Sequence, residues 1–136
     1  MDKIRLGIIG FGNMGTTHAK NVSSDNCPDI VLAAVADIKE ARLKAAKETY
    51  QDIACFNSAE EMFDSGLIDA CIVAVPHYDH TSLAIMAMKK GIHVMVEKPA
   101  GVYARQVREM NEAAEKSGVK FGIMFNQRTN HIYRKM

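Results

Sequence analysis

A glycine turn near the start of the chain is the feature that most restricts its fold. The turn reads GFGNMG at residues 10–15 and follows Ile4–Ile9, a short apolar run rich in β-branched residues. A helix is predicted directly after it, over Met14–Ser23. Glycine-rich turns are common, so the motif is informative only in this context, between a buried strand and a helix. The context predicts a strand–turn–helix unit of the kind that binds a dinucleotide.

Each glycine of the turn has a separate physical reason. Gly10 permits the tight turn out of the strand, Gly12 leaves the backbone bare so that a diphosphate can approach, and Gly15 lets the helix pack close to the strand. The start of the helix adds free N–H groups and a partial positive charge for the phosphates. We therefore predict a cofactor-binding loop that also includes the intervening residues Phe11, Asn13 and Met14.

Strand-like and helix-like segments alternate along the whole chain. Further apolar runs that suit strands buried on both faces are Ile30–Ala36, Ala70–Val75, Ile92–Val96, Lys120–Phe125 and a shorter run at Ile53–Phe56. Apolar stripes at helical spacing lie in Lys39–Tyr50 and Tyr103–Ser117, and Leu83–Met88 is apolar all round. This alternation predicts an α/β domain of the Rossmann type, a doubly wound parallel sheet with helices on both faces.

Two helix starts carry capping signals. Ser58 and Glu61 have the spacing of a capping box, in which the hydroxyl and the carboxylate each satisfy an N–H group at the start of the helix. Asp79 stands before the apolar helical segment and is predicted to cap a helix that begins near His80. Both signals support the alternation of strands and helices described above.

Asp37 ends the predicted second strand, 27 positions after Gly10 (37 − 10). In dinucleotide-binding units an acidic residue roughly 20 positions beyond the turn accepts hydrogen bonds from the adenosine ribose. A carboxylate there would repel a 2′-phosphate, so NAD is favoured over NADP, although Lys39 two residues later softens that preference. The alternative role for Asp37 is to cap the helix predicted at Lys39–Tyr50.

Composition excludes several classes of function. The 136 residues include 24% charged side chains with a net charge of +1, which argues against nucleic acid or a membrane surface as a partner. No stretch approaches the roughly 20 apolar residues that span a bilayer. Cys27, Cys55 and Cys71 lack metal-ligand spacing, and without a secretory signal they indicate reduced thiols in the cytoplasm and no metal site.

A second group of polar residues follows the predicted strands that end at Val75 and Val96. One strand runs into Val75-Pro76-His77 and the next into Glu97-Lys98-Pro99. Both junctions are carboxyl ends of parallel strands, where open α/β sheets bind ligands. Lys98 can donate to a substrate oxygen and stabilise a developing alkoxide, or it can be a solvated loop cation. We interpret His77 as a candidate for the cleft. His80 could serve as a catalytic base, but we favour a helix-start residue with a structural hydrogen bond.

These residues together resemble a known family, the Gfo/Idh/MocA oxidoreductases. The similarity rests on the turn GFGNMG, on VPHYDHTSLAIMAMKKGIHVMVEKP at residues 75–99 and on MFNQR at residues 124–128. It implies a two-domain enzyme that moves a hydride between NAD(P) and a secondary hydroxyl of a sugar, cyclitol or similar polyol. Residues 1–125 would be the NAD(P)-binding domain, and residues 126–136 the start of the connection to a C-terminal substrate domain.

The resemblance also implies roles for the second group. Lys98 matches the lysine of an EKP motif that contacts the reacting hydroxyl, and it is the catalytic candidate of this chain. Glu97 matches the neighbour near the nicotinamide ribose, and Val75 and Pro76 match a segment that lines the cofactor cleft. With His77, these residues complete the predicted cofactor site. The bond between Lys98 and Pro99 lies where the family often has a cis peptide.

The sequence also departs from the family pattern. The principal acid–base histidine and a nearby aspartate belong to the family's second domain, which this chain does not include, and His131 falls where a proline is expected. We therefore expect the 136 residues to bind NAD weakly and to lack useful turnover. The resemblance further implies that the longer protein forms homo-oligomers through that second domain.

Two other classes of function stay open on the sequence alone. A non-catalytic NAD(P)-binding regulatory module would keep the fold without turnover, but such a module has no need of Lys98. A methyltransferase also uses a glycine turn and an acidic residue after its second strand, but this interpretation leaves the EKP motif unexplained. The histidines His18 and His93 are assigned to packing or to the surface.

Overall fold

The computed structural model describes residues 2–24 and 27–135, and at its centre is one sheet of six strands. In chain order these are β1 (Ile4–Ile9), β2 (Ile30–Ala36), β3 (Ala54–Phe56), β4 (Ala70–Val73), β5 (His93–Val96) and β6 (Phe121–Ile123). All five neighbouring pairs are parallel, and the order across the sheet is β3-β2-β1-β4-β5-β6. This is the strand order of dinucleotide-binding doubly wound domains, so the predicted fold class is confirmed.

Helices cover both faces of the sheet. They are α1 (Asn13–Val22), α2 (Glu40–Thr49), α3 (Ala59–Asp64), α4 (His80–Lys89) and α5 (Ala104–Ser117). Helices α1 and α2 pack against side chains such as Ile8 and Val35, whereas α3, α4 and α5 pack against the opposite face, which includes Ile9 and Val73. Because successive strand residues point to opposite faces and both faces are covered, the strands are apolar apart from Arg5 and His93, which are exposed near the starts of β1 and β5. Within the described residues, no helix combines the length and the apolar character needed to cross a bilayer.

The central strands end at one level. Ile9 pairs with both Ala36 and Val73, and Val73 pairs with Val96. The residues that follow these positions therefore leave the sheet at the same edge, and they include Gly10, Asp37 and Glu97. The register of the sheet thus brings the glycine turn, the acidic residue and the EKP motif to one side of the molecule.

The strand predicted to reach Val75 is shorter in the structure. It ends at Val73, although Ala74 still donates its N–H to the carbonyl of Ile9 at 2.8 Å. Pro76 has no N–H group with which to extend the ladder, so the chain leaves the sheet there. The other predicted segments are present with ends that differ by a few residues, including the short strand β3 and a helix α4 that begins at His80.

The capping prediction for α3 is confirmed for the serine hydroxyl, and the prediction for α4 is wrong. The hydroxyl of Ser58 accepts a hydrogen bond from the N–H of Glu61 at 3.2 Å, as expected at the start of α3. Asp79 does not cap α4 with its side chain. It ends a 3₁₀ turn over His77–Asp79 and already has near-helical angles, φ −96° and ψ −5°, instead of the extended conformation of a capping residue.

Candidate dinucleotide-binding site

The glycine turn has the geometry that the sequence predicts. Gly10 has φ +88°, and a Cβ atom there would lie 2.6 Å from the carbonyl oxygen of Ala74. A Cβ atom on Gly15 would lie only 1.9 Å from the carbonyl oxygen of Gly10, so α1 packs directly on the end of β1. A Cβ atom on Gly12 would meet only the side chain of Arg42, whose nearest atom would lie 3.5 Å away. The fold therefore requires glycine at positions 10 and 15, whereas Gly12 faces only a flexible side chain.

The first turn of α1 is free of competing side chains. Gly12 is its N-cap residue, no side chain caps it, and the first turn holds no acidic residue. Asn13 and Met14 are exposed at this end. The first N–H groups of a helix have no partner within the helix, and together with the helix dipole they attract anions. The bare backbone at Gly12 and these donors fit a diphosphate group.

Asp37 lies against the same turn. Its side chain is only 2% exposed, and Oδ2 accepts a hydrogen bond from the N–H of Phe11 at 2.7 Å. Oδ1 accepts from the N–H of Lys39, the N-cap residue of α2, at 2.8 Å. The carboxylate therefore points at the glycine turn and also supports the start of α2, although Lys39 and not Asp37 is the N-cap residue of that helix. The ring of Phe11 is buried and meets Tyr50 edge-on, with centroids 6.5 Å apart.

Arg42 is a member of this site that the sequence reasoning missed. Its Nη1 lies 3.2 Å from Oδ2 of Asp37, and its side chain is 42% exposed. The guanidinium also lies over Gly12, so it covers the carboxylate from the crevice side. The only signal in the sequence is its position in the first turn of the helix after Asp37, which does not reveal the direction of a long side chain.

The second predicted group lies at the same sheet edge. Pro76, His77 and Lys98 are exposed, Val75 is partly buried and Glu97 is buried. The peptide bond between Lys98 and Pro99 is cis. Lys98 is thus presented to solvent at the end of β5, immediately after a buried carboxylate.

Two buried histidines hold this group, and the sequence reasoning recognised only part of their role. His18 on α1 places Nε2 2.6 Å from Oε1 of Glu97, although the sequence suggested only packing or surface for it. Oε2 of Glu97 accepts from the N–H of Lys98 at 3.1 Å. His80 makes the expected structural hydrogen bond and a second one: its ring nitrogens lie 2.8 Å from the carbonyl of Pro99 and 2.9 Å from that of Val75.

The clear pKa shifts occur away from this edge. The guanidinium and the N–H of Arg5 lower the pKa of Asp69 to about 2, at the opposite end of the sheet. Burial raises the pKa of the Cys71 thiol to about 12. Residues 2–24 and 27–135 contain no group of three side chains placed to hold a metal ion. The candidate site therefore consists of backbone donors, the buried Asp37 with Arg42, and the exposed Lys98 beside the buried Glu97.

The fold and the site together define a dinucleotide-binding domain of the Rossmann type. Residues 4–125 match the family GFO_IDH_MocA, described as an oxidoreductase family with an NAD-binding Rossmann fold. The match covers most of the sequence, and the chain belongs to this family.

Individual relatives are similar over nearly the whole chain. A myo-inositol 2-dehydrogenase of Thermotoga maritima is 31% identical over 133 residues, which are 98% of this chain and 39% of the relative. A D-glucoside 3-dehydrogenase of Escherichia coli is 33% identical over 92% of this chain and 35% of the relative. The crystal structure of scyllo-inositol dehydrogenase from Lactobacillus casei with bound NAD(H) and scyllo-inositol superposes with a TM-score of 0.93 at 27% identity, over 98% of this chain and 39% of that one. The chain thus spans about two-fifths of the length of these relatives.

Proposed function

We propose that this chain is the NAD-binding domain of an oxidoreductase that moves a hydride between NAD(P) and a secondary hydroxyl of a sugar, cyclitol or similar polyol. The observation that carries the proposal is the meeting of three features at one sheet edge. These are the bare backbone at Gly12, the Asp37 carboxylate bonded to the same turn, and Lys98 at the end of β5. Family membership and the dehydrogenases among the relatives support the reaction class.

The residues present fit the dinucleotide in an extended arrangement. The turn at residues 10–15 would take the diphosphate, and the carboxylate of Asp37 would take the adenosine ribose. Because Arg42 covers that carboxylate, the ribose hydroxyls reach it only when the guanidinium moves aside. Val75, Pro76 and His77 would line the nicotinamide half of the cleft. Glu97 has two protein partners, so its part in the proposed site is to support the segment that carries Lys98.

Lys98 would act on the reacting oxygen. NAD supplies the hydride acceptor, and the protein contributes position and electrostatics. An ammonium group at the end of β5 can donate a hydrogen bond to the substrate hydroxyl and stabilise the negative charge that develops as its proton leaves. The exposure of this lysine favours contact with a ligand over a structural ion pair. Since this chain spans two-fifths of its relatives, the general base would come from a further part of the protein.

Two finer expectations belong with this proposal. The family match ends at residue 125, which supports a boundary between an NAD-binding domain at 1–125 and a connecting segment at 126–136. The three cysteines are unpaired in the structure, which agrees with a reducing compartment such as the cytoplasm. Assembly of the longer protein into homo-oligomers stays an expectation from the family resemblance.

Calorimetric titration of the chain with NADH, NADPH and S-adenosylmethionine tests the binding half of the proposal. We expect NADH to bind and S-adenosylmethionine not to bind; the reverse order would refute a nicotinamide dinucleotide as the ligand of this site. The catalytic half is tested in the longer protein with a panel of polyols and NAD. Lys98→Met should abolish turnover although the protein still binds NADH, and Lys89→Met on the exposed side of α4 is the matched control. Full turnover by Lys98→Met would remove the lysine from the mechanism.

A further inference from the structure

The segment that carries Lys98 is held from both sides by buried histidines on different helices. On one side, His18 of α1 contacts Glu97, and both side chains are buried, with 11% and 6% exposed. On the other side, His80 at the start of α4 is completely buried and contacts the carbonyl of Pro99. Lys98 itself is exposed between these two anchors.

The contact between His18 and Glu97 sets the hydrogen position on one ring. An ionised carboxylate only accepts hydrogen bonds, so Nε2 of His18 must carry the hydrogen that it donates at 2.6 Å. The second carboxylate oxygen accepts the N–H of Lys98. The helix that begins at the glycine turn is thereby joined, through Glu97, to the backbone of Lys98.

His80 lies in a more demanding environment. Nδ1 is 2.8 Å from the carbonyl oxygen of Pro99, and Nε2 is 2.9 Å from that of Val75. Both partners are acceptors only, whereas a neutral imidazole has one N–H donor and one lone pair. Whichever nitrogen carries the hydrogen, the ring donates to one of these carbonyls and lies against the other.

His80 is completely buried, and both of its ring nitrogens lie within hydrogen-bonding distance of a backbone carbonyl. Its ring also meets that of His77 edge-on, with centroids 5.6 Å apart. The ring would tie the end of β4 to the segment after β5.

We propose that His18 and His80 are positioning residues for Lys98: His18 acts through the carboxylate of Glu97, and His80 through the carbonyls of Val75 and Pro99. The value of this arrangement for catalysis rests on the proposed function of Lys98. The hydrogen positions on the two rings do not depend on it. Binding of NADH and the state of the histidine rings are therefore separate measurements, and either one can fail alone.

Nuclear magnetic resonance of the chain with ¹⁵N-labelled histidine tests the ring states without any substitution. We expect His18 to carry its ring hydrogen on Nε2, the nitrogen that faces Glu97. His93 is the internal reference for such a ring, because its Nδ1 accepts the N–H of Lys120 at 3.0 Å and carries the lone pair. A His18 ring without a hydrogen on Nε2 would overturn its contact with Glu97.

Two substitutions of His18 test positioning. His18→Leu removes the donor to Glu97, whereas His18→Gln keeps an N–H that can reach the carboxylate. We expect the amide hydrogen of Lys98 to exchange about tenfold faster in the leucine variant, as a lost hydrogen bond implies, and to stay protected in the glutamine variant. Equal exchange in both variants would contradict the role of His18. If the leucine variant does not fold, faster exchange of the Lys98 amide in the glutamine variant, or a missing Nε2 hydrogen on His18 in the wild type, would contradict the role of His18.

Discussion

Replacing Gly12 and Gly15 by alanine, one at a time, should affect two different properties of the protein. A methyl group on Gly15 would lie 1.9 Å from the backbone oxygen of Gly10 and 3.3 Å from Cγ2 of Ile8. The oxygen belongs to the turn itself, so α1 must move away from β1 to make room. Such overpacking costs roughly 1–3 kcal/mol or more, and alanine recovers only about 1 kcal/mol through its helix propensity. We expect Gly15→Ala to lower the free energy of unfolding by about 2 kcal/mol.

Gly12→Ala should leave the fold intact. Its φ of −85° and ψ of −157° are open to any residue, and the nearest atoms to the new methyl group are those of the Arg42 guanidinium at 3.5 Å. A weaker N-cap and a less flexible unfolded chain act in opposite directions, so the change in unfolding free energy should stay below about 1 kcal/mol. The methyl group would stand where the diphosphate must approach. NADH affinity should therefore fall at least about tenfold, or about 1.4 kcal/mol.

The assay pairs urea unfolding, followed by circular dichroism, with calorimetric titration of NADH. Each variant is the control for the other, because both add one methyl group to the same turn. Wild-type NADH affinity in Gly12→Ala would show that the diphosphate does not approach this backbone. Wild-type unfolding of Gly15→Ala would refute the packing argument.

Three further outcomes follow from the geometry. Arg42→Ala should raise the ratio of the NADPH to the NADH dissociation constant by about fivefold, the effect of one exposed charge; an unchanged ratio would leave the guanidinium without a part in cofactor choice. Hydrogen bonds from Arg5 lower the pKa of Asp69 from its usual 3.8 to about 2 in the folded protein. The ionised side chain therefore stabilises the fold at pH values above about 4. The stability difference between wild type and Asp69→Asn should therefore vanish as the pH falls from about 4 to about 2 in urea titrations; a difference that persists at the lowest pH would contradict this. Burial raises the pKa of Cys71 to about 12, so a thiol reagent at pH about 8 should label Cys27 in the folded protein and Cys71 only after unfolding.

Local patterns predicted most of the fold. The turn at residues 10–15 follows a buried strand and opens a helix, and both neighbours are readable from apolar periodicity alone. The position of Asp37 beside the turn could also be anticipated, since both residues follow parallel strands that end at one edge. The prediction failed at Asp79 because the sequence does not reveal that a 3₁₀ turn precedes α4 and gives this residue near-helical angles.

The site could be predicted only where function depends on the backbone or on the end of a strand. Glycine spacing is a local property, so the diphosphate loop is visible in the sequence. The direction of a long side chain is not, which is why Arg42 went unrecognised although it is bonded to Asp37.

By itself, the sequence determined the alternation of strands and helices, the glycine turn and the residues that leave the sheet at its carboxyl edge. These properties depend on neighbours within a few positions and on how side-chain directions repeat along a helix and along a strand. Only the tertiary structure decided that His18 meets Glu97, 79 positions away, and that His80 bridges two loops. Such pairings depend on how far each helix is rotated and shifted against the sheet. Packing of the whole core sets this placement, and no local sequence pattern encodes it.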